Sequence, residues 1–327
     1  MPEIYNHPWY NTQHHVPGEK GFQNIWGIND RPPLSRIIPW FIKHEWQHRS
    51  HHPAPLAPVS LAYLHQPVKH VRITWLGHSA FLVQLPGLNI LTDPMLGNRA
   101  SPFPFAGPKR LVPVPFRLSD LPNVHLVLLS HDHYDHLDKG SIQHINRLFN
   151  PLFLAPLKVE KHLSRWGITQ WLSLDWWQYT TFKGLTFHCT PARHFSGRWL
   201  HDRNQTLWAG WMLSTPHLSI YFAGDTAYAP FFKEIADHLM PPQIALLPIG
   251  AYEPHWLMQS VHMNPEEATR AYSDLKATHF IPMHWGTFDL ADEPLDEPPE
   301  RLKQAFKQAG LPLSHLHLLA VGACWEQ

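Results

Sequence analysis

Short apolar runs recur along the chain from Val71 onward, and most of them end at polar or glycine-containing turns. Residues 71–76 and 185–189 alternate apolar and polar side chains, which predicts strands with one buried face. Residues 124–129 are apolar throughout and predict a fully buried strand. Further strands are predicted at residues 80–85, 88–92, 171–174, 207–213, 218–222, 244–249 and 280–283.

Helical patterns separate several of these strands. The clearest helix start is at Asn264, which precedes Pro265 and is followed three residues later by Glu267, the pattern of a capped N-terminus. Gly310 is placed to end the last predicted helix. The predicted helices span residues 139–148, 159–166, 229–240, 265–276 and 299–309.

The first 70 residues differ from the rest because proline, histidine and aromatic residues dominate them. We interpret residues 1–70 as an irregular N-terminal arm and residues 71–327 as the folded domain. Residues 34–47 predict a short amphipathic helix, with Pro39 at its start or inside it. This helix either packs on the core or forms a surface that touches lipid or a second subunit.

Composition narrows the functional classes. The chain has 327 residues, 44% hydrophobic and 16% charged residues and a formal net charge of +0, which gives no support for nucleic-acid binding. Cys189 and Cys324 form no C-x-x-C pair and predict buried thiols in a reducing compartment. No signal peptide or membrane-spanning apolar run is seen, which predicts a cytoplasmic protein. Its 15 Trp and 17 Phe suit a core, an apolar cavity or peripheral contact with a membrane.

Residues 130–138 contain the strongest chemical signal, with four candidate metal ligands in six residues directly after a buried strand. His131 and His133 are two apart, so on extended backbone they point the same way. Asp135 and His136 lie on the following turn. Imidazole and carboxylate suit a divalent metal such as zinc, at about 2 Å. The chain has 27 His, so chance pairs are expected, but an ordered H-x-H-x-D-H after a strand predicts a metal site.

This motif resembles the signature of the metallo-β-lactamase superfamily. The resemblance implies an α/β fold, an αββα sandwich forming a single domain, with a two-metal site at one edge. It further implies a distant histidine, an aspartate after a strand and a late histidine, which here are His194, Asp225 and His284. The implied ligand sets are His131, His133 and His194 for one metal and Asp135, His136 and His284 for the other, with Asp225 between them.

Two metals about 3.5–4 Å apart lower the pKa of a shared water and polarise the substrate. The expected reaction is therefore hydrolysis of an ester, amide, lactone or phosphodiester. Asp132 and Asp138 flank the motif, and they either orient ligand imidazoles or are solvated.

Longer stretches are similar to the N-acylphosphatidylethanolamine-hydrolysing phospholipase D family, a lipid phosphodiesterase branch of the superfamily. The similarity covers about residues 70–310 and includes Asp175-Trp176-Trp177 and residues 248–254, which have no metal role. It implies two Zn²⁺, a phospholipid substrate, a membrane-facing entrance and usually a homodimer. The implied reaction is attack of a metal-bridging hydroxide on phosphorus, giving phosphatidic acid and an N-acylethanolamine.

The residues that contact the substrate are less well defined. Tyr134 and His262 are candidates to contact the phosphate or the leaving alkoxide, and with Asp225 they are the predicted catalytic residues. Lys109 and Arg110 are adjacent cations that either bind phosphate or form a solvated pair. Two alternatives stay open, namely a lactonase or phosphodiesterase of a small polar metabolite, and a metal-binding scaffold without turnover.

Overall fold

The computed structural model describes residues 2–18, 20–27, 33, 35–40, 52–199 and 201–327. Two seven-stranded sheets form within these residues. The strands are β1 (Ile4–Asn6), β2 (Arg72–Trp75), β3 (Phe81–Leu85), β4 (Leu88–Thr92), β5 (Leu126–Leu128), β6 (Leu152–Pro156), β7 (Trp171–Leu174), β8 (Gln178–Phe182), β9 (Leu185–Thr190), β10 (Gly210–Ser214), β11 (Ser219–Phe222), β12 (Ile244–Pro248), β13 (His279–Met283) and β14 (Cys324–Glu326). The helices are α1 (residues 35–40), α2 (Leu61–Leu64), α3 (Lys139–Phe149), α4 (Glu160–Arg165), α5 (Phe231–His238), α6 (His255–Met258), α7 (Pro265–Asp274) and α8 (Glu297–Gln308).

Both sheets are mixed. The first has the order β1-β8-β9-β10-β11-β12-β13, and the second has the order β14-β2-β3-β4-β5-β6-β7. Strands β11 to β13 run parallel, and β9 runs in the same direction because it is antiparallel to β10, which is antiparallel to β11. The carboxyl ends of β9, β11 and β13 therefore lie at one edge of the first sheet.

Side chains that alternate along the strands of the second sheet contribute to two separate hydrophobic clusters. In β3, Phe81 and Val83 belong to the large core cluster, whereas Leu82 belongs to a second cluster with Ile142 and Ile145 of α3. Since successive strand side chains point to opposite faces, one face of this sheet packs on the inner core and the other is covered by helices. The predicted α/β sandwich is confirmed.

The N-terminal residues are partly regular. Strand β1 pairs with β8 as the edge of the first sheet, with Ile4 opposite Thr180. Residues 35–40 are helical, and the rest of the helix predicted at residues 34–47 lies outside the described residues. The boundary at residue 70 stays a prediction. Among the described residues, no helix has the length and apolar character needed to cross a bilayer.

Candidate metal centre

Loops after four strands bring the predicted ligands to one end of the sandwich. The ligands are His131, His133, Asp135 and His136 after β5, His194 after β9, Asp225 after β11 and His284 after β13. Gly224 has a φ of 59°, and a Cβ at this position would lie 2.5 Å from the Cβ of Ser130. Only glycine lets the Asp225 loop approach the β5 loop this closely.

His131, His133 and His194 direct three ring nitrogens to one position. Nδ1 of His133 lies 2.8 Å from Nε2 of His131 and 3.2 Å from Nε2 of His194. Nδ1–H of His194 donates to the Val261 carbonyl at 2.8 Å. Nδ1–H of His131 donates to Ser130 Oγ at 2.8 Å, because this hydroxyl gives its own proton to a buried carboxylate. Nε2 of His131 and of His194 therefore carries a lone pair.

A second group lies beside the first. Nε2 of His136 and Nε2 of His284 each lie 3.0 Å from Oδ2 of Asp225, and 3.6 and 3.5 Å from Oδ2 of Asp135. Nε2 of His194 lies 3.8 Å from the same Asp225 oxygen. Asp225 is thus the residue that connects the two groups.

The carboxylates and histidines of the second group stabilise each other's charged forms. Burial raises the pKa of the Asp225 carboxyl, but His136 and His284 more than offset this and hold it well below its usual range. Burial lowers the pKa of His136, yet Asp225 and Asp135 raise it well above its usual value. Metal binding at this position would displace protons, because histidine ligates as neutral imidazole.

These features fit a bound cation. Within the described residues, Nδ1 of His284 and Oδ1 of Asp225 are buried without a hydrogen-bond partner, and Nε2 of His136 and of His284 lie 3.0 Å from Asp225 Oδ2 without hydrogen-bond geometry. Buried polar atoms are costly unless they are satisfied. Lone pairs of imidazole and carboxylate at one point suit divalent metal ions, which would be held by the two predicted ligand sets.

Two residues near the centre were absent from the predicted ligand sets. Nε2 of His78 lies 3.1 Å from Oδ2 of Asp135, and burial lowers the pKa of His78 to about 3. Nδ1–H of His136 donates to Asp93 at 2.7 Å, and Asp93 also accepts from the backbone N–H of Ser130 at 2.7 Å. His78 lies in the turn between β2 and β3, and Asp93 directly follows β4. Asp93 could have been proposed from the sequence, because it directly follows a predicted strand.

His262 contacts two candidate ligands, and Tyr134 lies between two others, His133 and Asp135, in the sequence. The His262 ring centroid is 5.1 Å from that of His194 and 5.2 Å from that of His284, and burial lowers the pKa of His262 to about 4. The guanidinium carbon of Arg198 lies 3.8 Å from the Tyr134 ring centroid. The His262 ring therefore lies against two candidate ligands, whereas the Tyr134 ring packs on Arg198, and the roles of both residues stay predictions.

The other two predicted substrate-binding residues, Lys109 and Arg110, make contacts within the loop between β4 and β5. Arg110 is buried, and its guanidinium donates to the carbonyls of Gly97, at 3.0 Å, and Met95, so in this structure it holds its own loop. Lys109 pairs through its backbone with Arg99. Phosphate binding by Lys109 and Arg110 stays a prediction.

The two flanking aspartates have separate contacts. Asp132 accepts from the backbone N–H of Gly197 at 2.8 Å and lies 3.1 Å from Nε2 of His162. Asp138 caps α3 by accepting from the backbone N–H of Ser141 at 2.8 Å. Asp132 is buried and Asp138 is half-buried, and each holds one end of the loop that follows β5 in place.

Comparison with known proteins agrees with this geometry. Residues 88–285 match the model of the beta-lactamase superfamily domain. The chain is 44% identical over 287 residues to an uncharacterized protein of Mycobacterium tuberculosis, covering 84% of this chain and 74% of the relative. It is 41% identical over 244 residues to N-acyl-phosphatidylethanolamine-hydrolyzing phospholipase D 1 of Caenorhabditis elegans, covering 71% and 68%.

A solved structure gives the same result for the fold. A metallo hydrolase from Ignicoccus hospitalis superposes with a TM-score of 0.60 and 25% identity, over 79% of this chain and 99% of that protein. The chain therefore belongs to the metallo-β-lactamase superfamily, in the branch of the N-acylphosphatidylethanolamine-hydrolysing phospholipases D, and is a metal-dependent hydrolase.

Proposed function

We propose that the protein is a zinc-dependent phosphodiesterase that hydrolyses an N-acylphosphatidylethanolamine-type phospholipid. Two observations together support the proposal. The chain has a centre with two groups of candidate metal ligands, and it is 41% identical to a relative named for that activity. Two bound Zn²⁺ would supply Lewis acidity and hydroxide near neutral pH. Zinc suits the centre because imidazole nitrogens and carboxylate oxygens are its usual ligands.

The chain's own residues have distinct tasks in this proposal. Asp225 connects the two ligand groups, and its buried carboxylate keeps them at a fixed separation. His262 is neutral near pH 7, because burial lowers its pKa to about 4, so it can donate one hydrogen bond to a phosphate oxygen. Tyr134 is half-buried and lies between His133 and Asp135 in the sequence, and in this proposal its hydroxyl contacts the same phosphate.

The surroundings of the centre suit a lipid. Phe103 and Phe105 are 45% and 76% exposed, and Trp199 is 61% exposed. Trp199 adjoins Arg198, whose guanidinium donates to the Leu137 carbonyl of the β5 loop at 2.8 Å. Exposed aromatic side chains on loops that contact the ligand-bearing loops favour a membrane surface as the place where substrate is met.

Product analysis tests the proposal. Zinc-loaded protein is incubated with N-acylphosphatidylethanolamine in mixed micelles made in H₂¹⁸O, and both products are analysed by mass spectrometry. Attack on phosphorus predicts release of N-acylethanolamine and one ¹⁸O in the phosphatidic acid. Asp225→Asn should abolish release, whereas Asp237→Asn, the same change at an exposed carboxylate on α5, should not.

Other outcomes separate the alternatives. Diacylglycerol as the product would contradict the bond assignment. Cleavage of bis(p-nitrophenyl) phosphate or a sugar lactone without lipid cleavage would move the substrate to a small polar metabolite. Bound metal without turnover of any of these substrates would support the non-catalytic scaffold.

A further inference from the structure

The N-terminal segment reaches the metal centre through Asn24. Its side-chain amide pairs with the backbone of His194, because Nδ2–H donates to the His194 carbonyl at 2.8 Å and Oδ1 accepts from the His194 N–H at 3.2 Å. His194 is a candidate ligand of the first group. A residue 170 positions earlier thus fixes both backbone groups of that ligand.

A buried carboxylate holds the same segment. Nε2 of His14 lies 2.6 Å from Oδ1 of Asp175, and Nε2 of His15 lies 2.7 Å from Oδ2. The backbone N–H of Trp176 also donates to Oδ1 at 2.8 Å. These are hydrogen-bond distances, and several donors share one buried carboxylate, so we interpret the cluster as a hydrogen-bonded latch.

A chain of tryptophans connects this latch to the His194 loop. The His14 ring stacks on Trp176 with centroids 4.2 Å apart. Nε1–H of Trp176 donates to the Trp208 carbonyl at 2.7 Å, and Nε1–H of Trp208 donates to the Ala192 carbonyl at 3.0 Å. Ala192 lies two residues before His194. The latch therefore supports the His194 loop by a second route.

The segment also packs on the residues that follow His194. The backbone N–H of Phe22 donates to the Asn204 carbonyl at 2.8 Å, and the Asn204 N–H donates to the Ser196 carbonyl at 2.9 Å. A Cβ at Gly21 would lie 2.1 Å from the Asn204 oxygen, and φ there is +116°. Only glycine permits this approach, so the backbones are in direct contact.

We propose that the described N-terminal residues, 2–18 and 20–27, act as a positioning element for His194, in which Asn24 fixes the ligand backbone and His14 and His15 latch the segment to Asp175. The inference rests on the proposed role of His194 as a metal ligand. Loss of Asn24 frees both backbone groups of His194, and this should weaken the metal held with His131 and His133. The second position uses other ligands and should keep its affinity.

Metal titration tests this without any lipid. Cobalt binding to Asn24→Ala and wild-type protein is followed by the visible spectrum and by competition with a chelator, and bound metal is counted by elemental analysis. We expect one of the two affinities to fall roughly 10- to 100-fold, the usual effect of losing an outer hydrogen bond to a ligand. Asn11→Ala is the matched control, since it removes the same amide from an exposed site in the same segment.

Further variants keep the test decisive. Asn24→Asp keeps the acceptor for the His194 N–H and should restore part of the affinity, even if Asn24→Ala folds poorly. His15→Ala should lower the affinity for the same metal by a smaller factor than Asn24→Ala does. His15→Gln should restore this affinity, because glutamine supplies a hydrogen-bond donor to Asp175.

Three results would overturn the inference. The first is that both metal affinities of Asn24→Ala and of Asn24→Asp equal those of the wild-type protein. The second is equal weakening of both metals together with a lower melting temperature, which would indicate a merely structural role. The third is a third metal equivalent that His15→Ala removes, which would make the His14, His15 and Asp175 cluster a metal site. Binding of two metals to wild-type protein would stand even if the lipid substrate proves wrong.

Discussion

At the scale of single residues, the histidines of the centre differ in what their second ring nitrogen contacts. Nδ1–H of His194 donates to a backbone carbonyl, Nδ1–H of His131 to a hydroxyl, and Nδ1–H of His136 to the carboxylate of Asp93. Each bond selects the tautomer with a free Nε2 and orients the ring. The carboxylate is the strongest of these acceptors because it is charged.

Asp93→Asn therefore has a specific expected effect. The amide can offer one acceptor, whereas Asp93 serves Ser130 through two bonds and His136 through a third. We expect zinc affinity at the position held by His136 to fall roughly 10- to 100-fold. Chelator competition measures it, with Asp237→Asn as the control. Equal zinc affinities in all three proteins would show that the Asp93 charge has no role in binding.

At the scale of elements, the loop between β4 and β5 connects an apolar tip to the centre. Its base is held where the Leu111 N–H donates to the Thr287 carbonyl at 2.9 Å, three residues after His284. Its tip carries Phe103 and Phe105, whose ring centroids are 5.7 Å apart. An exposed aromatic pair at the tip of a loop whose base contacts the residues after His284 is a suitable anchor in a lipid interface.

Phe103→Ser with Phe105→Ser should weaken binding to phospholipid vesicles at least roughly tenfold, since burying one such ring contributes about 1.5–3 kcal/mol. Co-sedimentation with vesicles measures the partition coefficient. Hydrolysis of soluble bis(p-nitrophenyl) phosphate should stay at the wild-type rate. Leu313→Ser, which removes a similarly exposed apolar side chain elsewhere, is the control. Unchanged partition of the double variant would exclude the loop as an anchor.

The elements also show what sequence patterns can predict. Strands that carry ligands were found because apolar runs end at turns with histidine or aspartate. Strand β8 was missed because its sequence, Gln-Tyr-Thr-Thr-Phe, is mostly polar, and β1 because its three residues are all exposed. His78 and Asp93 contact residues that are 57 and 43 positions away in the sequence. Motifs of closely spaced residues cannot predict such distant contacts.

At the scale of the whole molecule, histidine makes up 27 of 327 residues, and several lie far from the centre. Burial, with a smaller effect of His7, lowers the pKa of His188 to about 4. Burial, His279 and His315 likewise lower the pKa of His317 to about 4. Both rings are therefore neutral in the folded protein at pH 7.

The sign of the effect on stability follows from these pKa values. An unfolded histidine takes up a proton near pH 6.5, whereas folded His188 does so only near pH 4. Between these values the unfolded chain binds more protons, so the free energy of unfolding falls as pH falls. Each such histidine contributes at most about 1.4 kcal/mol per pH unit. Its stabilising effect is complete above about pH 6.5.

His188→Gln should therefore lose less stability than wild type between pH 7.5 and pH 5.0, because glutamine has no proton to gain. Urea unfolding at both pH values, with a chelator present to remove metal, gives the two differences to compare. His144→Gln, at an exposed position of α3, should follow the wild-type pH dependence. If the His188→Gln and wild-type stabilities fall in parallel, His188 is not kept neutral by folding, and the acid sensitivity must arise at other buried groups.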